Sequence, residues 1–586
     1  MYLQRPKLFN LPDWIRHYHK ANLSQDLLAG LIVGILVIPQ SLGYAMLSGL
    51  PPVYGLYSAI IPVLVYAWVG SSSVNAVGPV AITAIMTAQA LQPYTKLAPA
   101  HYAVMASFLA LLTGVLLWLA SVFRLGWITQ FISRGVTAGF ISGAAILILV
   151  GQIKYVTGIN MSGNTLLENT ESILLHRHEL HLPTVSVGLI AFSLLFINRY
   201  YLQSWLSPFF AAKKIELLNR LIPLIVLAVG ILASVFGHFA DKGIRTVANV
   251  PSGLPHFVLP FYRISPVQLI ALLPAAGLMA LIAFVSSNSV ASSFARQRGE
   301  AYSANTELRG LGLANMFGAF FQSFTIVGGF SRTAINVDAG AMSPLASVLS
   351  VLVMAIVLLF FSQLLTPLPY AILGATIMSA IISMIDVQTF KQALRYDRLD
   401  AIAFSVALVG VLLFGLNIGL VAGLFASFGG LIWQYSHPHM AVVGQVGNTG
   451  HFRNINRHQV TQFDALLIIR IDESLFYGNA QSVLNFIEQA LSHHPQTKNL
   501  VLMLSAVNHI DLTAQDMLIG LNQNLASQNI TLHFSEIKGP VMDVIEQTDV
   551  IKKLTGKVFL STQQAVNAFE QSDSTDSAHS ADSIRE

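Results

Sequence analysis

The 586-residue chain reads as a polytopic α-helical membrane protein of about 14 spans, built on an inverted internal repeat and followed by a small α/β domain. Three observations lead there. Hydrophobic residues make up 54% of the chain and charged residues 10%, where soluble domains carry about 25% charged residues. A ten-residue pattern recurs, AVGPVAITAI at 76–85 and IVGGFSRTAI at 326–335. After Trp433 the composition turns charged and alternating, as in a soluble domain of strands and helices.

Residues 1–25 are basic and polar, a cytoplasmic segment without the small-residue cleavage site of a secretory signal. The membrane domain, 26–435, follows. Its apolar stretches approach the ~20 residues that cross a bilayer and fall near 26–47, 53–70, 79–92, 100–122, 127–151, 183–198, 217–239, 266–294, 307–323, 331–342, 344–366, 369–385, 399–413 and 416–435. Pro39, Pro62, Pro223 and Pro274 within them should break or kink helices, which membranes tolerate where neighbours re-satisfy the backbone. Gly135, Gly139 and Gly143 recur every fourth residue, as do Gly415, Gly419 and Gly423. Such rows let helix backbones approach closely in lipid, or mark a seam between moving parts.

Basic residues set the orientation. With the N-terminus inside, Arg5, Lys7, Arg16, Lys20, Arg296, Arg298, Arg309, Lys391, Arg395 and Arg398 are among the cytoplasmic ones, while Lys96, Lys154, Arg177, Lys242, Arg245 and Arg263 lie outside. The bias gives an even span count and a multi-pass protein of the inner (plasma) membrane with both termini cytoplasmic. Repeat copies an odd number of spans apart then cross in opposite senses, which is the inverted-repeat condition.

In the soluble domain, 440–570, strands are expected at 465–471, 500–504 and 530–534, with helices at 478–491, 513–525 and 539–546. Their alternation predicts a mainly parallel sheet. Residues 571–586 are Ser/Asp-rich, without apolar periodicity, and read as a disordered tail.

Several function classes fall away. Without cysteine there is no disulfide, thiolate metal site or cysteine nucleophile. The net charge of +4 comes from loop lysines and arginines rather than a nucleic-acid patch. No glycine-rich loop ends in Lys-Ser/Thr, which argues against ATP-driven transport, and no nucleophile–base motif suggests an enzyme. No cofactor or metal is implied. His176, His178 and His181 have metal-like spacing for zinc or copper, but sit in a predicted external loop where histidines are common.

The repeat carries the functional reading. Val77/Val327, Gly78/Gly328, Thr83/Thr333, Ala84/Ala334 and Ile85/Ile335 coincide in the two copies. Interrupted apolar segments at matching places in two halves point to a transporter's substrate site. The second copy adds Arg332, a cation in an apolar segment, where ionisable groups are costly and usually functional.

The motif Pro39–Ser58 (PQSLGYAMLSGLPPVYGLYS) closely resembles the signature of the sulfate permease (SulP) family, which includes the mammalian multifunctional anion exchangers and prestin. Asn305–Asn315 (NTELRGLGLAN), Gly328–Gly340 (GGFSRTAINVDAG) and Pro367–Asp386 extend the resemblance. Ile471–Asn479 (IDESLFYGN) and Asn508–Ala514 (NHIDLTA) resemble the family's STAS domain. The resemblance covers roughly residues 5–570.

It implies a UraA-like fold of seven plus seven inverted spans, with the anion bound between the N-termini of half-helices 3 and 10. It also implies elevator-like secondary transport of an inorganic anion, with sulfate as default and bicarbonate or a C4-dicarboxylate as the runner-up. From another class, an anion channel or an anion sensor signalling through the STAS domain remains open. A homodimer, lipid contacts and a regulatory protein partner at the STAS domain are implied as well. The implied site comprises Val80, Ala81 and Ile82 on one side and Phe330, Ser331 and Arg332 on the other, with Gln40 and Tyr44 from the first span. Alternatively, Arg332 pairs structurally with Asp338 or a C-terminal carbonyl, and Gln40 and Tyr44 satisfy one another.

The chain departs from the family in Ser286–Ala295 (SSNSVASSFA), where Ser286 occupies a position that is acidic in many coupled members. That favours exchange or uncoupled transport. Asp338, the acid expected at membrane depth, and Asn288 remain candidates for coupling. In the STAS domain Thr513, just after Asp511, corresponds to a regulatory phosphosite in related proteins or serves as a helix N-cap.

Overall fold

The computed structural model describes residues 12–161, 163, 165–206, 208, 212–247, 252–262 and 264–570. The predicted tail and residues 1–11 of the first basic stretch lie outside the described residues. Two compact units are present, 1–427 and 428–586, parted within the last apolar helix.

Each predicted apolar stretch contains a helix. These are α1 (Leu23–Leu47), α2 (Val53–Val69), α3 (Ala81–Ala90), α4 (Pro99–Val122), α5 (Arg134–Thr157), α6 (Leu182–Ile197), α7 (Ala212–Phe236) and α8 (Pro266–Arg298), then α9 (Ala304–Ala319), α10 (Phe330–Asp338), α11 (Leu345–Leu365), α12 (Tyr370–Ile381), α13 (Arg398–Phe414) and α14 (Leu416–Ser436). Among the described residues, eight helices are long and apolar enough to cross a bilayer. At ~1.5 Å per residue, α3 and α10, with 10 and 9 residues, reach only about half of a ~30 Å hydrocarbon core. Each is preceded by an extended lead-in, β1 (Val77–Gly78) or β2 (Val327–Gly328).

Small residues decide how the helices pack. A Cβ on Gly135 or Gly139 would collide with the α13 backbone at Asp400 and Phe404, and one on Gly419 with the α13 backbone at Val411. The four-spaced glycines therefore serve close packing of α5 on α13 and of α13 on α14. The α5–α13 pair has a counterpart seven spans on, where α12 packs on α6. Pro39, Pro223 and Pro274 lie inside α1, α7 and α8, while Pro62 starts the second half of α2, where its missing N–H costs nothing.

The second unit carries a six-stranded sheet of β3 (Met440–Gln445), β4 (Phe452–Asn454), β5 (Leu466–Ile471), β6 (Asn499–Met503), β7 (Thr531–Ser535) and β8 (Val558–Phe559) in the order β4-β3-β5-β6-β7-β8. Pairing is parallel from β5 to β8, and β3 runs antiparallel to both neighbours. Helices α15 (Ala480–His493), α16 (Leu512–Ser527) and α17 (Gly539–Ile545) bury Val483, Leu518 and Ile545 against Ile469, Leu502 and Phe534. The N-cap of α16 is Asp511 rather than Thr513. Its carboxylate accepts the Ala514 and Tyr477 N–H groups, each at 2.8 Å, and Thr513 is exposed in the first turn.

Candidate functional site

The two repeat copies meet in space. β1 and β2 pair antiparallel, with Val77 opposite Gly328 and Gly78 opposite Val327. Each residue faces the counterpart of its neighbour, so a local two-fold relates the copies. Val80 caps α3 and Gly329 caps α10, both with extended backbone and neither with a side-chain capping bond. A Cβ placed on Gly329 would lie 3.4 Å from Val80 Cγ1, so the helix starts adjoin. First-turn N–H groups lack intrahelical partners and carry the positive end of the helix dipole, so two such ends side by side favour an anion.

A cavity of about 710 Å³ opens at this point. Gln40 and Tyr44 of α1, Val80, Ala81 and Ile82 of the α3 start, Ser286 of α8, and Phe330 and Arg332 of α10 line it. Ser331 belongs to the first turn of α10, but its side chain lies outside the described residues.

Arg332 is buried. Its Nη1 donates to Val77 O at 3.1 Å and its Nη2 to Pro79 O at 2.9 Å, while Nε has no hydrogen-bond partner. The guanidinium of the second copy thus holds the lead-in of the first, rather than pairing with Asp338. Gly78 makes room for it: at φ 154° a side chain is strained, and a Cβ would overlap the guanidinium. Thr333 Oγ1 accepts the Ala76 N–H at 3.0 Å and donates to Asn75 Oδ1 at 3.1 Å, and Asn336 Nδ2 donates to Val74 O at 2.9 Å. One polar face of α10 therefore binds the whole extended segment before α3.

Behind β2 lies a carboxylate that sequence reasoning passed over. Glu307 of α9 is fully buried. It accepts hydrogen bonds from Tyr66 Oη at 2.7 Å, Ser287 Oγ at 2.6 Å, Asn75 Nδ2 at 3.1 Å and the Ser71 hydroxyl. All four lone-pair positions of the carboxylate are taken by donors. A Cβ on Gly328 would come within 2.5 Å of Ser287 Oγ and 2.7 Å of Asn75, so the network presses on β2 directly. The sequence signal was available, since Glu307 is the one acid of the family motif Asn305–Asn315. Asp338, the acid expected at depth, is exposed at the last residue of α10. Asn288 accepts the Tyr302 hydroxyl at 2.6 Å and does not line the cavity.

Sequence reading also missed the opposite wall. Arg134 and Thr137 of α5 and Asp386 line the cavity too. Asp386 accepts the Thr389 N–H at 2.8 Å and O–H at 2.6 Å, and Arg134 donates to the same hydroxyl at 3.1 Å.

Comparison with known proteins shows the family and the fold. The profile of the sulfate permease family matches residues 23–407, and that of the STAS domain matches 457–565. Over 563 residues the chain is 30% identical to "Sulfate transporter 4.1, chloroplastic" of Arabidopsis thaliana, covering 94% of this chain and 80% of that protein. It is also 30% identical over 559 residues to a "probable sulfate transporter" of Mycobacterium tuberculosis, covering 95% and 97%. Among solved structures, the murine Solute Carrier 26 family member A9 anion transporter in the inward-facing state matches with a TM-score of 0.84 at 22% identity, over 97% of this chain and 96% of that one. The transmembrane domain of a cyanobacterial bicarbonate transporter, BicA, matches with a TM-score of 0.59 at 18% identity, over 70% and 98%.

Proposed function

Because the chain belongs to the sulfate permease family of membrane anion transporters, we propose that it is a secondary carrier of sulfate, holding the anion between the starts of α3 and α10. The observation that carries this reading is the pairing of β1 with β2, which sets two uncapped helix N-termini and one buried guanidinium around a single cavity. Main-chain dipoles and a fixed cation fix the sign of the ligand. The small apolar side chains of Val80, Ala81 and Ile82 keep those N–H groups accessible. Sulfate is favoured because the relatives at 30% identity are named sulfate transporters. Bicarbonate is the second reading, favoured by the fold shared with BicA.

With Ser286 in place of an acid, the mechanism is exchange or uncoupled transport. If protons drive uptake, a proton on the buried Glu307 would have to displace one of its four donors, which would couple its protonation to the position of β2. The protein resides in the inner membrane with cytoplasmic termini, as a dimer whose STAS domain regulates assembly or activity through Thr513 or a partner.

Labelled sulfate uptake into proteoliposomes tests the proposal, with internal anions varied and a pH gradient imposed or absent. Uptake that needs internal anion and ignores the gradient supports exchange. Gradient-driven uptake moves the coupling to Glu307. Bicarbonate flux without sulfate flux replaces the substrate and keeps the site.

A further inference from the structure

The far end of α5 holds a second cavity, of about 580 Å³. Ile141 of α5 lines the central cavity and Lys154 lines this one, about 20 Å further along the helix at ~1.5 Å per residue. Its wall is assembled from the end of α5, the loop to Met161, the start of α6, the loop after α7 and the start of α12.

Lys154 and Arg245 face this cavity beside His176 and His181, and among the described residues no carboxylate lines it. Lys154 Nζ sits 4.9 Å above the Tyr155 ring, and Arg245 Nη2 donates to Asn160 Oδ1 at 3.1 Å. Among the described residues neither cation takes part in an ion pair. His176 Nδ1 donates to Ser172 O at 2.9 Å, and His181 Nδ1 bonds Thr184 Oγ1 at 2.7 Å. Glu179, which is not among the lining residues, accepts the Asn160 N–H at 3.3 Å. The flanking sequence at 162–164 (SGN) and 248–251 (ANVP) adds no acid.

Cations gathered around a concavity and held in no ion pair repel one another, and low-dielectric walls focus their field on an incoming anion. A guanidinium beside an ammonium suits an oxyanion, which can accept two N–H groups from one partner and a point charge from the other. Two cationic side chains favour a dianion over a halide.

We propose that this cavity is a second anion site, for a divalent oxyanion such as sulfate, on the opposite face from the central cavity. Two of the three histidines whose spacing suggested a metal belong to it instead. As a capture point for the carrier it rests on the proposed transport function, though the binding itself does not.

The test is equilibrium binding of radiolabelled sulfate to the purified full-length chain. The parent should bind two sulfates. Arg332→Gln should lose the central one, and Lys154→Gln/Arg245→Gln the outer one, with at least about a tenfold weakening, equivalent to about 1.4 kcal/mol. The charge-preserving Lys154→Arg/Arg245→Lys variant should keep both. Binding by Lys154→Gln/Arg245→Gln equal to the parent overturns the outer site and leaves the central one standing. Loss in the charge-preserving variant as well, with the same melting temperature, overturns it too. If Arg332→Gln removes nothing, the central assignment fails while the outer site stands.

Discussion

Arg332 is the residue on which charge and scaffold meet, and two substitutions separate them. Arg332→Gln removes the charge, and Arg332→Lys keeps it. In the structure the guanidinium serves two buried carbonyls, at 2.9 and 3.1 Å, while its Nε remains open. Neither replacement can serve both carbonyls with the same planar fork, and each carbonyl left unpaired costs about 1–3 kcal/mol. Both variants should therefore melt earlier, by similar amounts. The charge is a separate matter. A unit charge about 5 Å from bound sulfate, at an effective permittivity of about 20, contributes about 3 kcal/mol for each of the two anion charges, on the order of 10⁴-fold in affinity. Half-saturation for sulfate in proteoliposomes should rise by that order in Arg332→Gln and by much less in Arg332→Lys. If the two variants raise it equally, Arg332 acts only by holding the lead-in to α3. If neither raises it threefold, the cavity is not the anion's path.

Gly328→Ala should cut turnover at least tenfold in protein that still purifies, because its Cβ would press within 2.5 Å of Ser287 Oγ; parental turnover would show that β2 shifts freely. Glu307→Gln sets an N–H against groups that donate to the carboxylate, so thermal stability should fall by roughly 2–3 kcal/mol, the worth of a charged hydrogen bond; an unchanged melting curve would mean that the network does not brace β2. In the STAS domain, burial, with Lys557 nearby, pushes the His533 imidazole down from 6.5 to about 4. The unfolded chain then takes up the proton first, so this contribution is complete above pH 6.5 and is lost as pH falls toward 4. Hydrogen exchange at β7 in the intact protein, corrected for intrinsic rates, should quicken between pH 7 and 5 and flatten in His533→Gln.

Most of this site was readable because its signals are local. Glycine and proline at 78–79 and paired glycines at 328–329 interrupt apolar runs, and the recurrence of the pattern exposes the repeat. Glu307 escaped because its span was taken to begin at residue 307, which made the acid look like an end group. The helix in fact starts at Ala304, capped by Ser303, whose hydroxyl accepts the Thr306 N–H at 3.3 Å. Arg134 and Asp386 sit at the ends of other spans, and only packing of α5 and α12 across from the half-helices brings them to the cavity. The cap of α16 was ambiguous for a different reason. Asp511 and Thr513 are both capping residues, and the choice fell to the one that also reaches the Tyr477 N–H from another loop. The strands β4 and β8, of 3 and 2 residues, are too short for alternation to register.

The asymmetry of the repeat bears on how the carrier would move. Ile82 stands in the first copy where Arg332 stands in the second, so the two-fold supplies the dipoles and one copy supplies the charge. The polar groups of that copy are spent on the other: Arg332 on Val77 and Pro79, Thr333 on Ala76 and Asn75, Asn336 on Val74. Separating α3 from α10 would strand all of these buried groups together. No bond of this kind joins α3 or α10 to α5 among the described contacts, although Ile82 and Thr137 face each other across one cavity. Motion should therefore occur along the α5 side, with the two half-helices travelling as one body. The absence of cysteine makes this testable by cross-linking, because an introduced pair has no native competitor. Joining Val74→Cys to Asn336→Cys should leave sulfate exchange intact, and joining Ile82→Cys to Thr137→Cys should arrest it until the link is reduced. Arrest by the first pair and activity with the second would reverse the assignment of moving and fixed parts.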